Sequence, residues 1–331
     1  MEKKLRDLEE RLKSFPRLSL SLVPTPCHRM DFLSEEFGVD LYCKRDDLTG
    51  FGFGGNKSRK LEFLIGEARE RGCDTLVTTG GIQSNFCRLT AAAGAVVEMS
   101  VHLILGGGRP AEATGNVLLD EMLGAHIHYV TSPDWNYWEE ESEKVARKLE
   151  KLGRKVFRIP IGGSVPVGAV GYAAAFVEIL KDQARMNTSF DHIIHACSSG
   201  GTTAGLVVGK ELTGWPGRIS GICVAMDKKN LEKTVLALAG ETAALLGGEV
   251  TPQSILVNDD FIGDGYAIRT TLAEKAIELF ARREGIFLDH VYTGKAAGAL
   301  LEWLEKGRLS GQKVLFLHTG GQVELFARAG K

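Results

Sequence analysis

Lys57 closes the run Gly50-Phe51-Gly52-Phe53-Gly54-Gly55-Asn56, in which four of seven residues are glycine. Glycine reaches backbone angles that a Cβ resists, so such a loop can bring the lysine after it close to a ligand. A lysine held there has two chemistries open to it. It can bind a phosphate as a point charge, or its neutral amine can form a Schiff base with an aldehyde. The spacing separates the two. A phosphate-cradling P-loop has glycine immediately before the lysine, and here Asn56 stands in that position. The segment before the loop, Tyr42-Cys43-Lys44-Arg45-Asp46-Asp47, is short and charged rather than an apolar strand. Schiff-base chemistry is therefore favoured. The plain alternative is a surface lysine beside a flexible loop.

A second cluster, Cys197-Ser198-Ser199-Gly200-Gly201-Thr202-Thr203-Ala204-Gly205, follows an apolar run at His192 to His195 and opens a helix. Strand, small polar loop and helix N-terminus together make an anion site, because free backbone N–H groups and the helix dipole point at one spot. Ser199, Thr202 and Thr203 can add hydroxyl donors. The pattern is not G-x-G-x-x-G, which disfavours a dinucleotide. A third cluster, Thr79-Gly80-Gly81-Ile82-Gln83-Ser84-Asn85, also opens a helix. Ser84 or Gln83 near that N-terminus could receive a carboxylate, and Asn85 offers a neutral amide; a simple N-cap at Ser84 is the plain alternative.

Short β-branched runs alternate with helical patterns to position these loops. Strands are expected at Thr75 to Thr78, Val101 to Leu105, Ile127 to Val130, Val156 to Ile159, near Ile193, at Ile219 to Val224 and at Val314 to Leu317. Helices are expected at Ser58 to Ile65, which reads as an amphipathic start, and at Ser84 to Val97, Asn116 to Leu123 and Trp138 to Leu152. Four more are expected at Gly168 to Lys181, Thr203 to Glu211, Thr270 to Arg283 and Lys295 to Glu305. Such alternation implies an α/β fold with parallel sheets and crossover helices. A chain of 331 residues is long for one hydrophobic core, so two domains are expected. Glycine-rich boundaries near Gly55 and at Ile161-Gly162-Gly163-Ser164 divide it into a larger unit, 1–57 plus 164–331, and an inserted unit, 58–163.

A net charge of −2 argues against a nucleic-acid partner. The charged stretch Glu2 to Lys13 is unlike a signal peptide and reads as a solvated or dimer-side helix. No apolar run has membrane-spanning length. The six cysteines are dispersed, which suits a reducing cytoplasm. His126 and His128 form an H-x-H on an expected strand, and a metal site there is disfavoured. Trp135, Tyr137 and Trp138 read as a helix cap and packing surface.

In order along the chain, Pro24-Thr25-Pro26, Lys44 to Asp47, Gly54 to Lys57, Gln83-Ser84-Asn85, Ile161 to Ser164, Gly200-Gly201-Thr202, Asp289 to Lys295 and His318 to Gly321 resemble one known family. It is the pyridoxal-phosphate enzymes of the tryptophan-synthase β-like fold (fold type II), in the group of D-cysteine desulfhydrase and 1-aminocyclopropane-1-carboxylate (ACC) deaminase. The resemblance implies two domains, each with a mostly parallel sheet flanked by helices, and pyridoxal 5′-phosphate as cofactor. It implies that Lys57 carries the cofactor and then takes the proton from Cα. Asn85 would bond the ring hydroxyl, and Ser84 would lie beside the substrate. Ser199, Gly200, Gly201 and Thr202 would hold the phosphate. Tyr292 and Tyr266 would be the two active-site tyrosines, and Thr319 would face the cofactor. A homodimer acting on a small amino acid is implied as well.

Two positions choose within the group. ACC deaminases tend to place an acid directly after the tyrosine matching Tyr292 and leucine in the histidine-x-glycine-glycine segment; Thr293 and Thr319 follow the desulfhydrase pattern. Hydroxyl partners near the pyridine nitrogen weaken the electron sink relative to a carboxylate. The expected reaction is α,β-elimination of D-cysteine to pyruvate, ammonia and hydrogen sulfide. ACC deaminase or cysteate lyase is the alternative, and a non-catalytic cofactor-binding protein the remote one. Phe86, Val165 and Cys27 depart from the family's usual residues, and the first two make the expected pocket more apolar.

Overall fold

The computed structural model describes residues 2–327. Its strands are β1 (Cys27–Arg29), β2 (Asp40–Arg45), β3 (Thr75–Gly81), β4 (Ser100–Gly106), β5 (His126–Val130), β6 (Val156–Ile159), β7 (His192–Cys197), β8 (Arg218–Cys223), β9 (Leu256–Asn258) and β10 (Lys313–His318). They form a six-stranded sheet in the order β1-β2-β10-β7-β8-β9 and a four-stranded sheet in the order β5-β4-β3-β6. Every pairing is parallel except that of β1 with β2. The helices are α1 (Glu2–Leu12), α2 (Asp31–Phe37), α3 (Lys57–Glu70), α4 (Asn85–Val96), α5 (Gly115–Met122), α6 (Trp135–Lys151), α7 (Pro166–Arg185), α8 (Gly201–Thr213), α9 (Lys228–Leu245), α10 (Thr271–Glu284) and α11 (Thr293–Glu305).

Parallel strands need crossover helices, and those helices cover both sheet faces. All six residues of β7 are accordingly buried. On one face of the large sheet Ile193 and Leu315 pack with Ala173, Phe176 and Val207 of α7 and α8. On the other, Ile194 and Phe316 pack with Phe280 and Leu300 of α10 and α11. Glycine permits the closest of the helix contacts. A Cβ on Gly171 of α7 would lie 2.2 Å from the carbonyl oxygen of Arg59 in α3.

Three expectations change. The charged run before the glycine loop is strand β2, paired with central β10. Its Lys44 is 1% exposed and donates to Asp182 Oδ2 at 2.6 Å, to the Thr25 carbonyl at 2.7 Å and to Glu178. Beside it Arg59 holds Asp46 through two bonds of 2.8 and 2.7 Å and Glu178 through another at 2.9 Å. A charged strand can therefore run through the interior, since each charge is paired and hydrogen-bonded. The helix after the loop is buried on all sides rather than amphipathic: Ser58 to Gly66 are all buried. Helix α1 is not simply a solvated arm, because Leu8 is buried in the core of α7 and α8.

Candidate active site

The C-terminal ends of β3, β7 and β10 open onto one cleft, the usual ligand position in open α/β sheets. Two adjoining cavities share Lys57, Asn85, Ser199 and Tyr292. All ten residues expected at the site line one or both of them. Gly200, Gly201, Thr202 and Thr319 belong to the first cavity, Ser84 and Tyr266 to the second.

Lys57 is placed by backbone bonds on either side of its loop. Gly55 N donates to Asp46 O at 3.1 Å, and Asn56 N donates to Thr319 O at 2.9 Å. Gly54 takes φ +71°, and a Cβ there would sit 2.0 Å from the Asp47 carbonyl oxygen, so the loop tolerates no side chain at that point. Lys57 is the first residue of α3. Burial lowers its pKa to about 8, which makes a neutral, nucleophilic amine accessible near neutral pH.

The first cavity is an anion cradle. Helix α8 begins at Gly201 after Gly200 at φ +87°. The first N–H groups of a helix have no intrahelical acceptor; here Gly201 N is met by Ser164 Oγ at 3.2 Å, and Ser164 in turn donates to Ser199 Oγ at 2.8 Å. Asn56 Nδ2 donates to Thr202 Oγ1 at 3.0 Å, tying the lysine loop to the cradle. Lys60 was missed from the sequence. It lies one turn after Lys57, is 1% exposed, and lines this cavity. Its only hydrogen-bond partner among the described residues is the Gly162 carbonyl at 3.1 Å. Burial, and then Lys57, drive its pKa well below normal. A buried amine with a depressed pKa beside a helix N-terminus regains its proton when an anion binds between them, so the pair suits an anionic ligand. The signal was the i, i+3 spacing of the two lysines, which puts both on one helix face.

The second cavity is aromatic. Trp135 and Trp138, read from the sequence as cap and packing, line it together with Phe86, Tyr266 and Tyr292. Trp138 Nε1 donates to Ser132 O at 2.6 Å, so the indole presents carbon rather than its donor. The Tyr266 and Tyr292 hydroxyls share a short hydrogen bond. Burial pushes the Tyr266 phenol up to about 12 and raises that of Tyr292 well above its ordinary value, so both remain protonated. Ser84 caps α4, accepting from Cys87 N at 3.2 Å. Thr293 lies on neither cavity wall; its hydroxyl donates to Asp289 Oδ1 at 2.6 Å. His126 and His128 are remote from the cleft and cluster with His102, whose Nδ1 is 3.1 Å from His128 Nε2. Among the described residues no group of three or more His, Cys, Asp or Glu is arranged to hold a metal ion.

Residues 18–320 match the family model described as pyridoxal-phosphate dependent enzyme. The chain belongs to this family. A Pyrococcus furiosus protein provisionally named 1-aminocyclopropane-1-carboxylate deaminase is 40% identical over 94% of this chain and 93% of its own length. A Yersinia enterocolitica D-cysteine desulfhydrase is 36% identical over 97% of this chain and 98% of its own. The crystal structure of an ACC deaminase homologue superposes with a TM-score of 0.91 at 37% identity, covering 97% of this chain and 96% of that one. The fold is thus that of fold type II pyridoxal-phosphate enzymes. The cleft fits the family's cofactor: the start of α8 behind Gly200 at φ +87°, the buried Lys60 with a single carbonyl partner beside it, and Lys57 as an amine of lowered pKa. No helix among the described residues is long and apolar enough to cross a membrane.

Proposed function

We propose that this pyridoxal-phosphate enzyme converts D-cysteine and one water to pyruvate, ammonia and hydrogen sulfide. One observation carries the reading. Among the described residues lining the two cavities there is no aspartate or glutamate, and the side chain delivered to the cleft just after β10 is Thr319. A hydroxyl supports a protonated pyridine ring less than a carboxylate would. Bound pyridoxal phosphate supplies an electron sink at the substrate's Cα. A weak sink suffices when an α-proton is removed and sulfide leaves Cβ; opening the ring of ACC, which has no α-proton, demands a stronger one.

In this reading Lys57 holds the cofactor through Nζ and afterwards takes the α-proton there. Lys60, Ser199, Gly200, Gly201 and Thr202 hold its phosphate at the start of α8. Asn85 donates to its ring hydroxyl. Ser84 and the free N–H groups at the start of α4 hold the substrate carboxylate. The Tyr266–Tyr292 pair stays protonated and can donate to the departing sulfur. Trp135, Trp138 and Phe86 exclude water. The distribution of strands supports a larger unit of 1–57 plus 164–331 and an inserted unit of 58–163, with the cleft between them. Six free cysteines support a cytoplasmic setting. A homodimer belongs to the same reading and is checked by sedimentation.

ACC deaminase is the second reading, favoured by the name of the Pyrococcus furiosus relative. The holoenzyme is assayed for pyruvate and 2-oxobutyrate release from D- and L-cysteine, ACC, D-serine and cysteate. D-cysteine is expected to give the highest kcat/KM. A higher value for ACC overturns the argument from the missing carboxylate; a higher value for L-cysteine overturns the chirality.

A further inference from the structure

Behind the cleft, one buried guanidinium joins three segments. Arg88 lies on α4 one turn after Asn85 and is 1% exposed. Its Nη1 donates to Asn85 Oδ1 at 3.3 Å and to Asn116 Oδ1 at 3.0 Å, and its Nη2 donates to the Gly54 carbonyl at 2.9 Å. Asn116, on α5, donates from Nδ2 to the same Asn85 Oδ1 at 3.0 Å and to Gln83 O at 2.8 Å, while its backbone N donates to Gln83 Oε1 at 2.7 Å. Asn85 Oδ1 therefore accepts two donors from behind. An amide has one acceptor and one double donor. With the oxygen engaged, Nδ2 is the atom left to face the cavity. Turning the amide over would set its N–H groups against the Arg88 and Asn116 donors, leaving buried donors unpaired.

The charge on Arg88 is not neutralised by these bonds, because all three acceptors are uncharged. The acid beside it is Asp120 on α5, fully buried, and neither carboxyl oxygen nor Arg88 Nε has a hydrogen-bond partner among the described residues. Burial raises the Asp120 pKa to about 8, with Arg88 opposing it, so the carboxyl does not fully cancel the cation at neutral pH. The charged or titratable groups that line the two cavities or act on those that do include Arg88 and Cys87 on α4, Asp120 on α5, Lys57 and Lys60 on α3, Cys197 on β7, and the phenols of Tyr266 and Tyr292.

We propose that Arg88 is a positioning residue that acts on the cofactor through Asn85. It fixes the Asn85 amide with its donor toward the ring hydroxyl and adds a positive potential that keeps that hydroxyl ionised. Through Gly54 it also anchors the loop that ends in Lys57. This rests on the assignment of Asn85 to the ring hydroxyl made above.

The experiment titrates the visible absorbance of the holoenzyme with pH in wild type, Arg88→Met, Arg88→Lys and Asn85→Ala, with cofactor content measured on each sample. A cation near the ring lowers the pH at which the protonated, yellow form is lost. Arg88→Met is expected to raise that midpoint in the same direction as Asn85→Ala. Its kcat should fall on the order of 100-fold through misplacement of the reacting groups, with a smaller change in KM. Arg88→Lys should recover part of both. An Arg88→Met holoenzyme with the wild-type midpoint and kcat overturns the proposal. Where Arg88→Met does not accumulate as folded protein, Asn116→Ala removes one of the two donors to Asn85 Oδ1; an unchanged midpoint and kcat there overturns it equally. Absence of a visible band in wild type, or an Asn85→Ala midpoint equal to wild type, instead overturns the underlying assignment of the site.

Discussion

Lys60 stands one helical turn beyond Lys57, both side chains line the same cavity, burial lowers the pKa of each, and Lys60 is held by a single carbonyl at 3.1 Å. The two lysines divide the labour that the sequence assigned to one. Loss of the Lys60 charge should weaken pyridoxal phosphate by roughly 2–5 kcal/mol, the usual effect of removing one partner of a buried charge pair. Lys60→Met should bind pyridoxal, which lacks the phosphate, about as well as wild type does. Equal losses for both ligands, measured by fluorescence titration of the apoenzyme, would show that Lys60 does not meet the phosphate. The sign of the pH effect follows. The apoenzyme holds Lys60 at a depressed pKa and a phosphate partner raises it, so cofactor binding takes up a proton and affinity falls as pH rises through the holoenzyme value. Inorganic phosphate should likewise raise the Tm of the apoenzyme.

Reconstitution with cofactor should become faster as pH rises through about 8 and level off above it, because the neutral form of Lys57 is the nucleophile. Stopped-flow absorbance records the rate. Borohydride reduction followed by peptide mapping should then place the phosphopyridoxyl group on Lys57; a label on another lysine would refute the assignment.

Thr293→Glu should destabilise the protein rather than introduce ACC turnover. Thr293 is fully buried and hydrogen-bonded to Asp289, whose carboxylate also accepts from Val291, Tyr292 and Thr293 backbone N–H groups at 2.7 to 2.9 Å. A second carboxylate placed there meets the like charge of Asp289 in a buried site, with Lys295 as a cation acting on that carboxylate. The expected loss is about 3–5 kcal/mol in a urea titration, on the scale of an uncompensated buried charge. Wild-type stability of this variant would mean that the glutamate turns into the cleft, and would reopen the ACC reading.

Acid should unfold the protein through Glu178. Burial opposes its ionisation, but Arg59 and Lys44 override that effect and hold its carboxyl at about 2. A depressed folded pKa contributes stability that is present above the unfolded value of about 4.3 and is lost as pH falls toward the folded one. Glu178→Gln should remove much of that acid sensitivity while lowering stability at pH 7 by about 3–5 kcal/mol, since Arg59 and Lys44 lose a partner. Thermal melts from pH 7 to 2 make the comparison; parallel curves for the two proteins would place the acid transition elsewhere.

The parts of the site that obey local rules were legible in the sequence. The glycine loop before Lys57, the loop at Ser199 to Thr202 and the helix start at Ser84 each announce themselves through glycine, small polar residues and the helix behind them. The misses arise where charge is compensated from far along the chain. Strand β2 looked too charged for the interior because Glu178 and Asp182, which pair its Lys44, lie on α7. Lys60 looked like the polar face of an amphipathic helix, since its meaning depends on α8 meeting α3 across the cleft. Trp135 and Trp138 carry no chemical signature, so only the position of α6 reveals that they wall the cavity. Thr293 shows the opposite error: a residue adjacent in sequence to the cavity-lining Tyr292 lies on neither cavity wall.

Among the described residues strand β10 is the last strand in chain order, and it lies in the middle of the large sheet, between β2 and β7. Until it arrives on the ribosome, β2 and β7 have no common neighbour, and Asn56 lacks the Thr319 carbonyl that holds the loop before Lys57. The small sheet, by contrast, is encoded without interruption from Thr75 to Ile159 and can assemble early in synthesis. A chain that stops short of β10 therefore lacks both the strand that joins β2 to β7 and the carbonyl that holds the loop before Lys57, so the cleft depends on the latest part of the large sheet to be synthesised.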